Sequence, residues 1–376
     1  MKDINIELFH EKNQKLENLW LNLEKNADIT PFQTFSWFDF WLKFSNVKNS
    51  GDLYIYVVND YHNNPLAIIP LIRKKYYFIK KLELIGDKKA EYKFPLIRKD
   101  ISENTLINIW KLLFKKLPIH DYFVIDRYPL TLKNRLKNVD LIKVGFSKFY
   151  IENSVSTEKF EDLNKLMSNI SKNNKRNIKN KQKLIKLGNY KFSVIKEKND
   201  YFTTLNQIKK SMYKKLDKLG ISNKIEINEN TNFFKLFWNF IGDKDSFRPL
   251  LVGLYFNDEL LSASWSLIHR DCLYYIFGGL IDDNMKRFNT GTLMQFELIN
   301  YAFKKDCKII DFTLGDEIYK FRWGGKINRL TSYVKFNSFK GKLFSFYFFL
   351  IFKIKGLKSI KNLYRNLKKI SFQFFL

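Results

Sequence analysis

Between Asp258 and Lys320 the hydrophobic pattern changes period several times without a long polar break, and the reading of the chain is organised around that stretch. Leu260–His269 alternates large and small residues, as a strand buried on one face does. Arg270-Asp271 turns the chain into Cys272–Leu280, whose aromatic and β-branched residues predict the second arm of a hairpin. A polar, basic loop covers Asp282–Thr290. Leu293, Met294, Phe296, Leu298, Ile299, Ala302 and Phe303 then recur at three- and four-residue steps, which predicts a helix over Gly291–Lys305. Lys308–Phe312 is a short buried strand that the chain leaves through Gly315.

The same vocabulary runs through the preceding residues. Ile4–Phe9 predicts a strand, Leu16–Leu23 a helix, and Phe35–Phe44 a short aromatic helix after the turn at Thr30-Pro31. Leu53–Asn59 and Leu66–Arg73 form a hairpin around Asp60–Pro65. Leu82–Ile85 is strand, Asn104–Leu117 helix and Tyr122–Arg127 strand. Ser171–Gly188 reads as one helix stopped by a leucine–glycine pair. Tyr190–Lys196 is strand, Asp200–Leu216 and Asn232–Ile241 are helices, and Arg248–Asn257 is the strand that feeds the central stretch. Beyond Asn337 the pattern changes again: Leu343–Phe352 is almost wholly apolar, and lysines interleaved with leucines and isoleucines follow it. Ten apolar residues fall short of the roughly 20 that a spanning helix needs. The run and its basic companion suit reversible attachment to an anionic membrane surface, or packing on the protein's own body.

At 376 residues the chain is long enough for two domains. A net charge of +28 points to a polyanionic partner, whether nucleic acid, membrane or acidic substrate. Cys272 and Cys307 lack both a disulfide framework and metal-ligand spacing, which fits a reducing cytoplasm and no metal. The first twenty residues carry no continuous apolar run of the signal-peptide kind. No P-loop, Rossmann fingerprint, G-x-S-x-G elbow or HExxH motif is present, so the NTPase, dehydrogenase and hydrolase classes are weak.

The candidate chemistry lies in the turn before the helix at Gly291. A helix start exposes backbone N–H groups with no intrahelical acceptor and carries partial positive charge, so it suits an anion. Lys286 and Arg287 stand just upstream, although Asn289-Thr290-Gly291 also reads as an ordinary capped loop. Lys172, Lys175, Arg176, Lys179, Lys183 and Lys186 recur at helical steps on one face, either as a solvated helix or as an arm for phosphates.

The order of strand, basic loop, helix and strand resembles the acyl-CoA-binding core of the GNAT N-acyltransferase superfamily. Asp311-x3-Gly315-x3-Tyr319-Lys320 resembles the terminal signature of its CelD-like acetyltransferases, associated with polysaccharide and cellulose synthesis. Pro31-Phe32-Gln33-Thr34 with Trp37 and Trp41 is similar to their amino-terminal motif, and Ser171–Gly188 to their central basic helix. One departure concerns the loop, where Arg287-Phe288-Asn289-Thr290-Gly291-Thr292 keeps a single, shifted glycine of the usual Arg/Gln-x-x-Gly-x-Gly/Ala.

The resemblance implies an α+β fold of tandem GNAT-like domains, each a mixed, mostly antiparallel sheet flanked by helices, with a helical C-terminal tail. The expected divisions are a degenerate copy over 1–155, a catalytic domain over 156–336 that includes the basic helix 171–188, and the tail over 337–376. It implies an acyltransferase that uses acetyl-CoA or another acyl-CoA. Lys286, Arg287, Asn289, Thr290, Gly291 and Thr292 would hold the donor, with Phe277, Gly278 and Gly279 presenting a backbone N–H to its carbonyl. Tyr319 would protonate the departing thiolate, and Asp311, Asp316 or Glu317 would serve as base. Lys320, Lys175, Arg176 and Trp37 would meet the acceptor, an amino sugar on a nucleotide or lipid carrier, with Lys320 alternatively neutralising Asp316. Two competing readings are a FemABX-like transferase drawing on aminoacyl-tRNA, the one reading with a nucleic-acid partner, and a non-catalytic membrane-docked scaffold.

Overall fold

The computed structural model describes residues 4–45, 51–76, 78–132, 136–218, 224–240, 247–282 and 284–343. Of the tail expected over 337–376, residues 337–343 are described and run into a helical turn, while the apolar run beyond Leu343 and the basic helix after it lie outside the described residues. Two compact units are present, one formed by Met1–Glu152 with Arg329–Leu376 and one by Asn153–Asn328.

In the first unit, β1 (Asn5–Phe9), β2 (Asp52–Asn59), β3 (Pro65–Tyr76), β4 (Ile79–Leu84) and β6 (Tyr122–Pro129) lie side by side in that order. Leu330–Phe336, from β15 (Lys326–Phe336), pairs antiparallel with β6. The pairing of β4 with β6 is parallel and covers only Lys81↔Tyr122 to Glu83↔Val124. The short β5 (Leu96–Ile97) adds to β3, and β7 (Thr131–Leu132) pairs with β8 (Leu136–Lys137). Helices α1 (Gln14–Lys25), α2 (Phe35–Ser45) and α3 (Glu103–Phe114) complete the unit.

The amino-terminal motif has a structural explanation. Gln33 is buried; its Oε1 accepts from the Thr30 N–H and hydroxyl, and its Nε2 donates to the Tyr92 carbonyl at 2.8 Å. Trp20 of α1 donates to the Gln33 carbonyl and stacks on Phe38 of α2, with centroids 4.7 Å apart. Pro31 at the start of the turn and Thr34 before α2 thus fix where two aromatic helices meet the sheet.

The same unit holds a cluster of buried charges. Lys81 and Glu83, each 4% exposed, pair at 2.6 Å, and Lys74 pairs with Glu83 at 2.9 Å and with Asp87. Lys93, also 4% exposed, pairs with Asp126 at 2.9 Å. Burial opposes the Glu83 charge, but Lys74, Lys81 and Lys93 hold its carboxyl well below the usual range.

In the second unit the order is β9 (Ser147–Ser156, here its end from Asn153), β14 (Ile309–Leu314), β13 (Cys272–Leu280), β12 (Glu259–His269), β11 (Arg248–Phe256) and β10 (Tyr190–Val194). All pairs are antiparallel except β13 with β14. This is the mixed, mostly antiparallel α+β architecture expected. The helices are α4 (Leu163–Asn169), α5 (Lys172–Ile178), α6 (Asn180–Leu187), α7 (Lys198–Lys218), α8 (Lys224–Lys235), α9 (Thr290–Phe303) and the single turn α10 (Ile318–Phe321). The basic segment read as one helix is two, α5 and α6, meeting at Lys179. The core under α9 gathers Leu293, Met294 and Leu298 with Leu273, Ile310 and Phe312 of the two parallel strands.

Candidate active site

The parallel strands β13 and β14 keep register over only Cys272↔Ile309, Leu273↔Ile310 and Tyr274↔Asp311. Beyond these three pairs the ladder ends, and Tyr275–Leu280 pairs with β12 alone. The β12–β13 register shifts between Trp265↔Phe277 and Ser266↔Tyr275, so Ile276 is an extra residue, a β-bulge that bends β13 where it parts from β14. Open backbone of this kind, at the carboxyl end of two parallel strands, is free to meet a ligand.

On the β14 side, Thr313 holds φ of +54°, a strained value for a β-branched residue. Two bonds hold it there. Its N–H donates to Asp311 Oδ1 at 2.8 Å, and its hydroxyl donates to the Tyr275 carbonyl at 3.1 Å, across the point of separation. Asp311 is fully buried, so its carboxylate shapes this turn. Gly315, at φ of +93°, then turns the chain into α10.

Lys320 is 2% exposed, and its ammonium donates to the Leu314 and Gly315 carbonyls and pairs with Glu317 at 2.9 Å. Its acidic partner is therefore Glu317, three residues back on the same turn, and not Asp316. Asp316 is exposed and accepts from Asn153 at 2.9 Å. Tyr319 sets its ring edge-on to Phe312, centroids 6.3 Å apart. Burial raises its phenol well above the ordinary 10.0, and Tyr275 and Glu317 nearby add to the effect.

Three residues of this cluster carry no sequence signal. Tyr275 is buried, and its hydroxyl lies over Gly278, where any β-carbon would collide with it. Gln295 of α9 lies beside that hydroxyl, and Trp323 donates to Gln295 Oε1 at 2.8 Å. On Gly279, Ser211 of α7 takes the space a β-carbon would fill and donates to the Leu280 carbonyl at 2.5 Å. The glycine pair therefore serves close packing of side chains as well as access to the backbone. Phe277 stacks on Trp265 with planes 7° apart.

Next to this opening, α9 begins from Asn289, which is left-handed at φ of +56°. The Asn289 carbonyl accepts from the Thr292 and Leu293 N–H groups, and the N–H groups of Thr290 and Gly291 have no intrahelical acceptor. Thr290 is fully buried, and its hydroxyl has no hydrogen-bond partner among the described residues, as expected of a polar atom that awaits one. Lys286 and Arg287 are exposed at the rim, the Arg287 guanidinium 4.9 Å from the Phe288 ring centre.

The basic helices brace this loop. Asn289 donates to Asn177 Oδ1 at 3.3 Å, Asn180 donates to the Phe288 carbonyl at 3.2 Å, and Lys181 pairs with Glu297 of α9 at 2.6 Å. Lys172, Lys175, Arg176, Lys179, Lys183 and Lys186 are all exposed. Lys175 donates to the Ser168 carbonyl and Arg176 to Asn173 Oδ1, both at 2.9 Å. The second unit thus brings together the loop 286–292, Phe277–Gly279, Asp311, Asp316, Glu317, Tyr319 and Lys320. Trp37 belongs to the first unit, 2% exposed and edge-on to Phe32. Among the described residues no group of three or more His, Cys, Asp or Glu could hold a metal ion, and no helix is long and apolar enough to cross a membrane.

Residues 172–321 match the family described as "Acetyltransferase (GNAT) domain". Within the second unit, residues 172–321 therefore carry a domain of the GNAT acyltransferase type. No curated protein sequence matches the chain. Among solved structures, the chain is similar to FemX, with a TM-score of 0.60 at 12% identity over 88% of this chain and 97% of that one. It is also similar to a tandem GNAT protein from the clavulanic acid biosynthesis pathway, at 0.50 and 9% over 89% and 98%. The C-terminal domain assigned to a lysylphosphatidylglycerol synthetase of Agrobacterium fabrum matches at 0.50 and 8% over 88% and 95%. At these identities the likeness is one of fold, and it includes a tandem GNAT arrangement.

Proposed function

We propose that the second unit moves an acyl group, acetyl in the simplest case, from acyl-CoA to the amine of an amino sugar on a nucleotide or lipid carrier, in cell-surface polysaccharide synthesis. The observation that carries this reading is the parting of β13 from β14 beside the start of α9, with the partnerless Thr290 hydroxyl at that start. The free N–H groups of Thr290 and Gly291, with the side chains of Thr292, Asn289, Lys286 and Arg287, would hold the donor's pyrophosphate. The backbone N–H groups of Phe277–Gly279 would polarise the thioester carbonyl, and Tyr319 would give its proton to the leaving sulfur. Glu317 and Asp316 are the exposed carboxylates for the amine's proton, and Lys175 and Arg176 the exposed cations for the acceptor's phosphate.

Calorimetric titration of the parent protein with CoA tests the reading directly. Arg287→Ala is expected to weaken binding by about 1–3 kcal/mol, the size of a lost charge-assisted contact. No heat of binding in the parent would end the acyl-CoA proposal.

A second reading, transfer of an aminoacyl group from a charged tRNA, draws on the five exposed cations of α5 and α6 and on Lys179 between them. Radiolabelled acetyl-CoA separates the two, because only the first reading expects label to leave CoA. The tail is proposed to hold the protein on an anionic membrane surface. Co-sedimentation with anionic vesicles should then fall as salt rises, and a variant ending at Asn337 should lose it while keeping its fold.

A further inference from the structure

Tyr275 is a buried phenol in the part of β13 that has lost its β14 neighbour, and nothing in the hydrophobic pattern or the motifs assigns it a role. Its ring runs forward along the strand, so that the hydroxyl lies over Gly278, beside Ser264 of the paired strand. Gln295 of α9 lies beside it, and Gln295 is held by the Trp323 indole at 2.8 Å. The Tyr275 carbonyl is tied to Thr313 at 3.1 Å, so the residue is anchored at both its main chain and its ring. Burial pushes the phenol up to about 12, with Gln295 acting against the rise and Glu317 adding to it, so the hydroxyl keeps its proton near neutrality. Neighbouring hydroxyls give that proton no fixed acceptor: Ser264 and Ser266 Oγ are buried and have no hydrogen-bond partner among the described residues.

We propose that the Tyr275 hydroxyl is a catalytic hydrogen-bond donor to the acyl carbonyl oxygen, acting beside the backbone N–H groups of Phe277–Gly279, with Gln295 and Trp323 as its positioning residues. The inference rests on the acyl-transfer reading. As the amine nitrogen bonds to the carbonyl carbon, the C=O π pair moves onto oxygen, where the Tyr275 O–H meets the growing negative charge. The pair then returns as the C–S bond breaks, the sulfur takes the Tyr319 proton, and the amine's surplus proton passes to a carboxylate. Tyr275 keeps its proton throughout. A donor fixed in a buried site before the reaction is worth far more than one that must be reorganised from water. The glycine at 278 is needed because any side chain there would displace the hydroxyl.

The test compares the parent, Tyr275→Phe and Gln295→Met with acetyl-CoA and an amine acceptor, and separately titrates each with CoA. Tyr275→Phe should lower kcat about a hundredfold, the effect of losing one such donor. KM and CoA affinity should stay within about twofold, because the interaction forms in the transition state. Gln295→Met, which removes the neighbouring amide and keeps the hydroxyl, should give a smaller loss of the same kind, and it replaces Tyr275→Phe as the decisive variant if the latter fails to fold. CoA binding with unchanged kcat in the folded variant would overturn the Tyr275 assignment alone. A rise in KM at constant kcat would make Tyr275 a structural residue and likewise overturn it. A parent that neither binds CoA nor turns over acetyl-CoA would overturn both this assignment and the acyl-CoA reading.

Discussion

Glu83→Gln is expected to destabilise the first unit by about 3–5 kcal/mol, because it leaves two buried ammonium groups without their carboxylate. Lys81 has Glu83 at 2.6 Å, and Lys74 would keep only the half-buried Asp87. Replacing both Lys81 and Glu83 by apolar residues of similar volume should cost much less, since no charge would then be left stranded. The pH dependence has a definite sign. The folded carboxyl of Glu83 lies below its ordinary 4.5, so it contributes stability above that value and loses it as pH falls toward the folded pKa. Lys74 and Lys81 lie above their ordinary 10.5, so their contribution is in place below that value and is lost only as pH rises through the folded pKa. Urea unfolding across pH is the measurement. If Glu83→Gln falls within about 1 kcal/mol of the parent, the cluster is more solvated than the burial implies.

Strands and helices with a strong hydrophobic period are legible in the sequence: the hairpin of β12 and β13, α9, and the aromatic helix α2 all stand within a few residues of where periodicity places them. β9 and β15 are not. Ser147–Ser156 is half polar, with its first five residues exposed, and Lys326–Phe336 buries only its middle, so neither shows an alternation that outweighs its charges. The break at Lys179 is hidden because its residues keep helical dihedrals, φ −59° and ψ −22°, and all that changes is the hydrogen bonding. Within the site, spacing reveals the glycine turn and the carboxylates. It does not reveal Tyr275, Gln295 and Trp323, since they lie 20 and 28 residues apart in sequence and meet only because α9 packs over β13. Lys320 pairs with Glu317 where spacing suggests Asp316, because spacing alone does not show which carboxylate the turn of α10 folds toward.

Tyr319→Phe is expected to lower kcat by about a hundredfold or more, in the range found for a positioned proton donor. Expelling a thiolate into a buried site leaves a charge that must be neutralised, and Tyr319 is the phenol that α10 sets at the exit of β14 beside Glu317. Its raised pKa keeps it protonated at neutral pH, so the proton is present when the sulfur needs it, and the thiolate's own basicity rises as the C–S bond breaks. The variant keeps the ring and its edge-on contact with Phe312, so fold and CoA affinity should be preserved. The loss should appear equally in kcat and kcat/KM, as for an interaction made only in the transition state. A folded Tyr319→Phe enzyme that binds CoA and keeps full rate would take proton donation to the sulfur away from α10.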